Sequence, residues 1–282
     1  MSRILLIGGA GFIGSHIAES YVLAGHDVCI IDKARCTVLG VRHIQADVGT
    51  LDLEFLNSFI NDFDIVSHHA AQVDVRVSIE SPLRDAEQNI LVALKLLAAC
   101  AQSKSAKSFI FASSGGAIDN SEYPASPYGI AKLTVEKYLK FYSDYHGLNT
   151  TILRYSNVYG PRQTAGVVPI FIKKMLKNEE VIANGGSQTR DFVYVSDVAE
   201  ANLKALNEKG FNIYNISSGK STSISTLAKD LKKILNSKSS IKSEPLIKGE
   251  VLVSKLKPTP FGNWKPSTSL SEGLILTSKS FK

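Results

Sequence analysis

Apolar residues in this chain fall into short solid runs separated by stretches with helical spacing. Arg3 to Ile7 is one run, ending in glycines, the profile of a strand buried on both faces. From Phe12 to Leu23 the apolar positions recur at helical period, and Gly25 supplies a stop. Val28 to Ile31, Ile65 to His68, Ser108 to Ala112 and Thr151 to Arg154 read as further strands. Asp85 to Ala101 and Pro127 to His146 read as helices. The second of these is well punctuated, with Ser126 at the N-cap, Pro127 in the first turn and Gly147 just past the end. Strands alternating with helices predict a doubly wound α/β fold, a parallel sheet covered on both faces.

The pattern loosens after about residue 160. Pro161 to Gly166 reads as a loop, Val168 to Asn178 as a helix, and Asn236 to Glu244 as a Ser/Lys surface linker. The expected organisation is a nucleotide-binding domain over residues 1–160, with later segments returning to it. A smaller lobe over 161–282, mainly substrate-binding, completes it.

Composition narrows the class. With 282 residues, 44% of them hydrophobic, the chain can bury a large core. No apolar run reaches the length of a membrane span, and the N-terminus reads as a strand rather than a signal peptide, so no membrane association is expected. Cys29, Cys36 and Cys100 form no C-x-x-C motif; such sparse thiols point to a reducing, cytoplasmic setting and away from zinc. The net charge is +6, with Lys229, Lys232, Lys233, Lys238 and Lys242 crowded late in the chain. No aromatic residues interleave with them to stack bases, so they read as solvated faces and not a nucleic-acid surface.

The first strand–helix junction carries chemistry. Gly8-Gly9-Ala10-Gly11-Phe12-Ile13-Gly14 has a G-x-x-G-x-x-G spacing, where a Rossmann-type dinucleotide fold needs small residues. Gly8, Gly11 and Gly14 allow a tight turn and close approach of a pyrophosphate, and Phe12 and Ile13 open a helix whose free N–H groups face it. Asp32 closes the second strand about twenty residues on, where a carboxylate takes the ribose hydroxyls. An acid there favours NAD over its 2′-phosphate; Lys33 and Arg35 beside it pull the other way. Asp47 and Val48 border the adenine in the same scheme, and a loop acid is the plainer alternative for Asp47.

Tyr128 and Lys132 lie four residues apart in S-P-Y-G-I-A-K and share one helix face. A cation beside a phenol lowers its pKa from about 10, which predicts a tyrosine able to exchange a proton with an alcohol near neutral pH. The spacing is common on helix surfaces; its weight comes from context. Upstream, Ser113 and Ser114 close a predicted parallel strand, whose carboxyl end faces the ligand crevice. His68 and His69 read as core histidines, since nothing near them completes a metal set or a hydrolase triad; no metal is expected.

Together these motifs resemble the extended short-chain dehydrogenase/reductases, in particular the NAD-dependent epimerase/dehydratases and their UDP-sugar 4-epimerase branch. G-G-A-G-F-I-G-S-H is similar to the family's opening, and His69-Ala70-Ala71-Gln72-Val73 to its fourth-strand motif. E-Q-N-I, L-R-Y-S-N-V-Y-G-P-R, Q-T-R-D-F-V-Y-V-S-D and the closing Trp264-Lys265-Pro266 follow in the family's order. The resemblance implies Ser114, Tyr128 and Lys132 as catalytic residues. It implies that Ala70, Ala71 and Gln72 line NAD, with Asn89 and Lys132 at the nicotinamide ribose and Ser113 and Tyr155 close by. It implies a UDP-sugar held by Asn157 and Arg190, and a homodimer packed through helices starting at Asp85 and Pro127.

Three departures stand out. The path from Ala117 to Tyr128 is short for the family, which trims a wall of the sugar pocket. Ile247-Lys248-Gly249-Glu250 stands where the family has R-x-G-[DE], leaving Lys248 as the candidate diphosphate ligand without arginine's fork. Ser156 occupies a position that is often aromatic. Gly115 and Gly116 follow Ser114, so the acid that dehydratases and decarboxylases carry there is absent. A 4-ketoreductase, an epimerase of another nucleotide sugar, and a non-catalytic dinucleotide sensor remain as alternatives.

Overall fold

The computed structural model describes residues 1–118, 123–184, 188–244 and 256–281. In chain order the elements are β1 (Arg3–Ile7), α1 (Phe12–Leu23), β2 (Asp27–Asp32), β3 (Arg42–Gln45), α2 (Leu53–Ile60), β4 (Ile65–His68), α3 (Val75–Glu80), α4 (Pro82–Ala86), α5 (Val92–Gln102), β5 (Ser108–Ser114), α6 (Gly115–Ile118), α7 (Pro127–His146) and β6 (Asn149–Tyr155). They continue as β7 (Asn157–Tyr159), α8 (Val167–Leu176), β8 (Val181–Asn184), β9 (Thr189–Tyr194), α9 (Val195–Ala205), β10 (Phe211–Ile216), β11 (Ser221–Ser223), α10 (Ile224–Ile234), β12 (Ile241–Glu244) and α11 (Leu270–Lys279).

The chain forms two compact units. The first comprises Met1–Arg154 and Ala199–Tyr214; the second comprises Tyr155–Val198 and Asn215–Lys282. A seven-stranded sheet runs in the order β10-β6-β5-β4-β1-β2-β3. The pairings β3–β2, β2–β1, β1–β4 and β4–β5 are all parallel. Register aligns their carboxyl ends: Ile7 lies opposite both Ile31 and His68, and His68 opposite Phe111. The segments after β1, β2, β4 and β5 therefore emerge at one edge, where ligands bind in open α/β sheets.

The strands are solid apolar runs because both faces are covered. Leu5, Ile7, Leu96, Leu97, Phe109, Phe111 and Leu139 are buried in one cluster with α2, α5 and α7. Each such side chain contributes roughly 1.5–3 kcal/mol by leaving water. α7 begins and ends as expected: Ser126 Oγ accepts from the Gly129 N–H at 3.2 Å, and Gly147 takes the left-handed conformation.

The second unit has its own core, including Tyr159, Phe171, Ile172, Phe192, Leu227, Leu231 and Leu274. Its strands form a three-stranded sheet, β11-β9-β7, and a two-stranded one, β12-β8.

Two readings of the pattern need correction. The expected linker over Asn236–Glu244 contains β12, which pairs in parallel with β8 from Ile241↔Val181 to Glu244↔Asn184. A single apolar residue, Ile241, among Ser, Lys and Glu suits an exposed edge strand as well as a linker. The expected helix from Asp85 to Ala101 is interrupted by a π turn at Glu87–Leu91, between α4 and α5. No glycine or proline marks it, so periodicity alone passes over it.

Candidate active site

The glycine turn is built by close contact. Gly8 has φ +86°, and a Cβ there would stand 2.4 Å from the Ala70 nitrogen. A Cβ on Gly14 would stand 2.1 Å from the Gly8 carbonyl oxygen, which fixes α1 against the turn. A Cβ on Gly11 would meet only the Gly8 oxygen, at 3.5 Å, and would otherwise project into open space. Gly11 is also the N-cap and supplies no side-chain cap, and α1 has no acid in its first turn. Phe12 and Ile13 thus open a helix end receptive to an anion. These residues fit a dinucleotide's pyrophosphate. Asp32 is held at the same edge: its carboxylate accepts from the Ala10 N–H at 2.9 Å and the Ala34 N–H at 2.8 Å.

The residues near Asp32 differ in setting. Lys33 is exposed, and its carbonyl accepts from Gln45. The Asp47 carboxylate caps a short turn by accepting from the Gly49 N–H at 2.9 Å, and Val48 packs into the core. Both have structural occupations at that point.

The wall after β4 is tied down from several sides. The N–H groups of His69 and Ala70 donate to the Ile7 carbonyl, and Ala71 and Gln72 follow. Asn89 brackets the Gln72 backbone: its Oδ1 accepts from the Gln72 N–H at 2.9 Å, and its Nδ2 donates to the Gln72 carbonyl at 3.0 Å. Asn89 reaches this position from the π turn and is only 2% exposed.

Ser114, Tyr128 and Lys132 come together. Ser114 ends β5 and is hydrogen-bonded to the Tyr128 phenol, and its Oγ accepts from the Ala117 N–H. Lys132 is buried; its Nζ donates to the Ala112 carbonyl at 2.9 Å and lies 5.7 Å from the centre of the Tyr128 ring. Gly129 permits this packing, since a Cβ there would stand 2.5 Å from the Ala117 carbonyl oxygen.

The expected low tyrosine pKa is not what this geometry produces. Burial pushes the Tyr128 phenol up to about 12, against a lowering by Ser114, and Asp85 raises it further. Burial likewise brings Lys132 down to about 8, opposed by Asp85 and Glu136. Desolvation is the largest influence on both groups because both are withdrawn from water.

His68 and His69 are core residues. Burial holds His68 well below its ordinary value and brings His69 down to about 3, so both are neutral. His69 Nε2 pairs with Ser67 Oγ at 2.9 Å. Among the described residues no cluster could hold a metal ion.

In the second unit, Tyr155 is buried at the end of β6. Asn157 opens β7, which runs parallel to β9, with Asn157 opposite Phe192 and Arg190 two residues earlier. The Arg190 guanidinium donates to Gln188 Oε1 at 2.8 Å and the Thr189 carbonyl at 2.9 Å. Its neighbour Asp191 is buried and accepts instead from Ser156 and Ser218. The unusual Ser156 thereby supplies a donor to a buried acid. Lys248 lies outside the described residues, as do residues 119–122 of the short path between Ala117 and Tyr128.

Sequence reasoning missed a buried network behind the serines. Ser113 Oγ donates to Glu136 Oε1 at 2.6 Å, and Arg154 forks onto the same carboxylate. Glu136 follows Lys132 by one helical turn, and that spacing was the available signal.

A Rossmann-type sheet with a glycine turn and a Ser–Tyr–Lys cluster at its strand ends defines an enzyme class, the extended short-chain dehydrogenase/reductases. Residues 4–217 match the NAD dependent epimerase/dehydratase family, and the chain belongs to it. A candidate UDP-glucose 4-epimerase of Methanocaldococcus jannaschii is 40% identical over 294 aligned residues, 96% of this chain and 95% of the relative. The Thermotoga maritima UDP-glucose 4-epimerase, solved with UDP-glucose, superposes with a TM-score of 0.93 at 38% identity, covering 99% of this chain and 98% of that one. The Thermus thermophilus UDP-glucose 4-epimerase, solved with NAD, gives 0.90 at 35% identity over the same shares.

Proposed function

We propose that this protein interconverts UDP-glucose and UDP-galactose by reversible oxidation at the sugar C4, through a 4-keto sugar, with NAD retained. The observation that carries the reading is the Ser114–Tyr128–Lys132 cluster, set at the same sheet edge as the Gly8–Gly14 turn. NAD, when bound, would supply the acceptor for the C4 hydride and its source for return to the opposite face of the 4-keto sugar, and would bring a cationic ring to the site.

Each residue then has a task. Tyr128 takes the proton of the C4 hydroxyl and gives it back. A cation brought beside the phenol draws its pKa down from the value burial imposes. Ser114 hydrogen-bonds the reacting oxygen, and Lys132 holds the nicotinamide ribose. Gly8, Gly11, Phe12, Ile13 and Gly14 take the pyrophosphate; Asp32 and Lys33 face the adenosine ribose and Asp47 and Val48 the adenine. Ala70, Ala71, Gln72 and Asn89 form a wall, with Ser113 and Tyr155 near the nicotinamide. Asn157, Arg190 and Lys248 hold the nucleotide's diphosphate. The first unit is then the cofactor domain and the second mainly the substrate lobe.

A cytoplasmic homodimer completes the reading. Its support is the free state of Cys29, Cys36 and Cys100, and the exposure of Leu83, Ile130, Phe141 and Tyr145 on α4 and α7. Among the described residues no helix is long and apolar enough to cross a membrane.

The test is incubation with UDP-glucose, UDP-galactose and their N-acetyl forms, without added reductant, following the anomeric protons by NMR. Interconversion of the first pair is expected. Turnover of the N-acetyl pair alone shifts the assignment to another nucleotide sugar, and no change in any of the four overturns it.

A further inference from the structure

The buried acid Asp85 has no part in the reaction described above, yet it hydrogen-bonds two residues at the wall after β4. It lies on α4 and is 1% exposed. Its Oδ1 accepts from Gln72 Nε2 at 2.9 Å and from Asn89 Nδ2 at 2.8 Å. Gln72 Nε2 gives its other proton to the Asp74 carbonyl at 2.9 Å, and Asn89 Nδ2 gives its other to the Gln72 carbonyl at 3.0 Å. Both amide groups are thus fully used as donors within the protein. Their part is to frame the wall at residues 70–74, which is pinned to Ile7 and pressed against Gly8. Asp85 is the shared acceptor on which that frame closes.

Asp85 also acts electrostatically on the facing helix. The titratable groups acting on Lys132 are Glu136 from α7 itself, Asp85 from α4, and the neutral His68 and His69 at the end of β4, with the Tyr128 ring alongside. Of the two carboxylates, Glu136 is neutralised by the Arg154 fork, whereas Asp85 is hydrogen-bonded to amides.

We propose that Asp85 is a positioning residue of the active site: its carboxylate closes the Gln72–Asn89 frame of the cofactor wall and stands as the buried counter-charge to Lys132. This rests on the reading of residues 70–74 as a cofactor wall and of Lys132 as an active-site cation.

The experiment compares Asp85→Asn and Asp85→Ala in the full chain. One readout is NAD affinity by calorimetry; the other is the Lys132 titration by NMR of lysine labelled at Cε, assigned with Lys132→Arg. Asparagine keeps an acceptor oxygen and removes the charge. Asp85→Asn is therefore expected to hold NAD near wild-type affinity while moving the Lys132 midpoint down by about one pH unit. Asp85→Ala, which also removes the acceptor, is expected to weaken NAD by on the order of tenfold, the worth of one charge-assisted hydrogen bond. Wild-type NAD affinity in Asp85→Ala, or an unmoved Lys132 midpoint in Asp85→Asn, overturns the proposal. If the alanine variant does not fold, the Lys132 midpoint decides alone. Neither readout uses turnover, so a fully active Tyr128→Phe would refute the catalytic reading without deciding the role of Asp85.

Discussion

The Lys132 ammonium lies 5.7 Å from the centre of the Tyr128 ring while donating to the Ala112 carbonyl at 2.9 Å. The two residues share a helix face, but the cation is directed to the strand. Tyr128 therefore keeps its proton in the NAD-free protein. An ultraviolet difference titration of wild type against Tyr128→Phe is expected to show the missing phenol ionising only near pH 12. A phenolate appearing below about pH 9 would mean that the lysine, not burial, governs it.

The glycine turn separates packing from ligand binding. Gly14→Ala forces a Cβ to 2.1 Å from the Gly8 oxygen and is expected to destabilise the fold by about 1–3 kcal/mol or more. Gly11 has φ −73° and open space, so Gly11→Ala is expected to stay within about 1 kcal/mol of wild type. It nevertheless fills the anion cradle, and its NAD affinity is expected to fall. Urea unfolding beside NAD titration checks the pair; equal NAD affinity in Gly11→Ala and wild type contradicts the cradle.

Glu136 anchors α7 to the sheet. Its carboxylate is 3% exposed and takes Ser113 and both arms of Arg154. Glu136→Ala leaves a largely buried guanidinium unpaired, with an expected loss of about 3–5 kcal/mol in urea unfolding. Glu136→Gln keeps an acceptor for Ser113 and should lose less.

Two buried neutral histidines set an acid limit. Burial lowers the folded pKa of His68 and His69, the latter to about 3, while the unfolded chain protonates near 6.5. Below about pH 6.5 the unfolded state therefore binds more protons, and stability present above that pH is lost as pH falls. The expected slope is roughly 1.4 kcal/mol per pH unit for each histidine. Denaturant midpoints between neutral and mildly acid pH measure it, and His69→Leu should flatten the dependence; an unchanged slope in that variant would remove His69 from the account.

Much of this was legible in the chain itself. Ser126, Pro127 and Gly147 bound α7 as their local chemistry requires, and the solid runs of β1, β2, β4 and β5 announce a sheet buried on both faces. What escaped depends on partners distant in sequence. β12 is a strand only because β8 pairs with it, and the π turn at Glu87–Leu91 exists where Asn89 brackets Gln72. The Tyr128 pKa escaped for the same reason, because helix spacing reveals the neighbouring cation but not the burial that overrides it.

The most direct measurement is conversion of UDP-glucose in heavy water, followed by proton NMR with wild type and Tyr128→Phe in parallel. Wild type is expected to yield UDP-galactose that keeps its own hydrogen at C4, because a hydride passed to NAD and back does not exchange with solvent. Tyr128→Phe is expected to be slower by about 10²–10⁴-fold. Deuterium at C4, or a Tyr128→Phe variant as fast as wild type, would contradict oxidation and return through Tyr128.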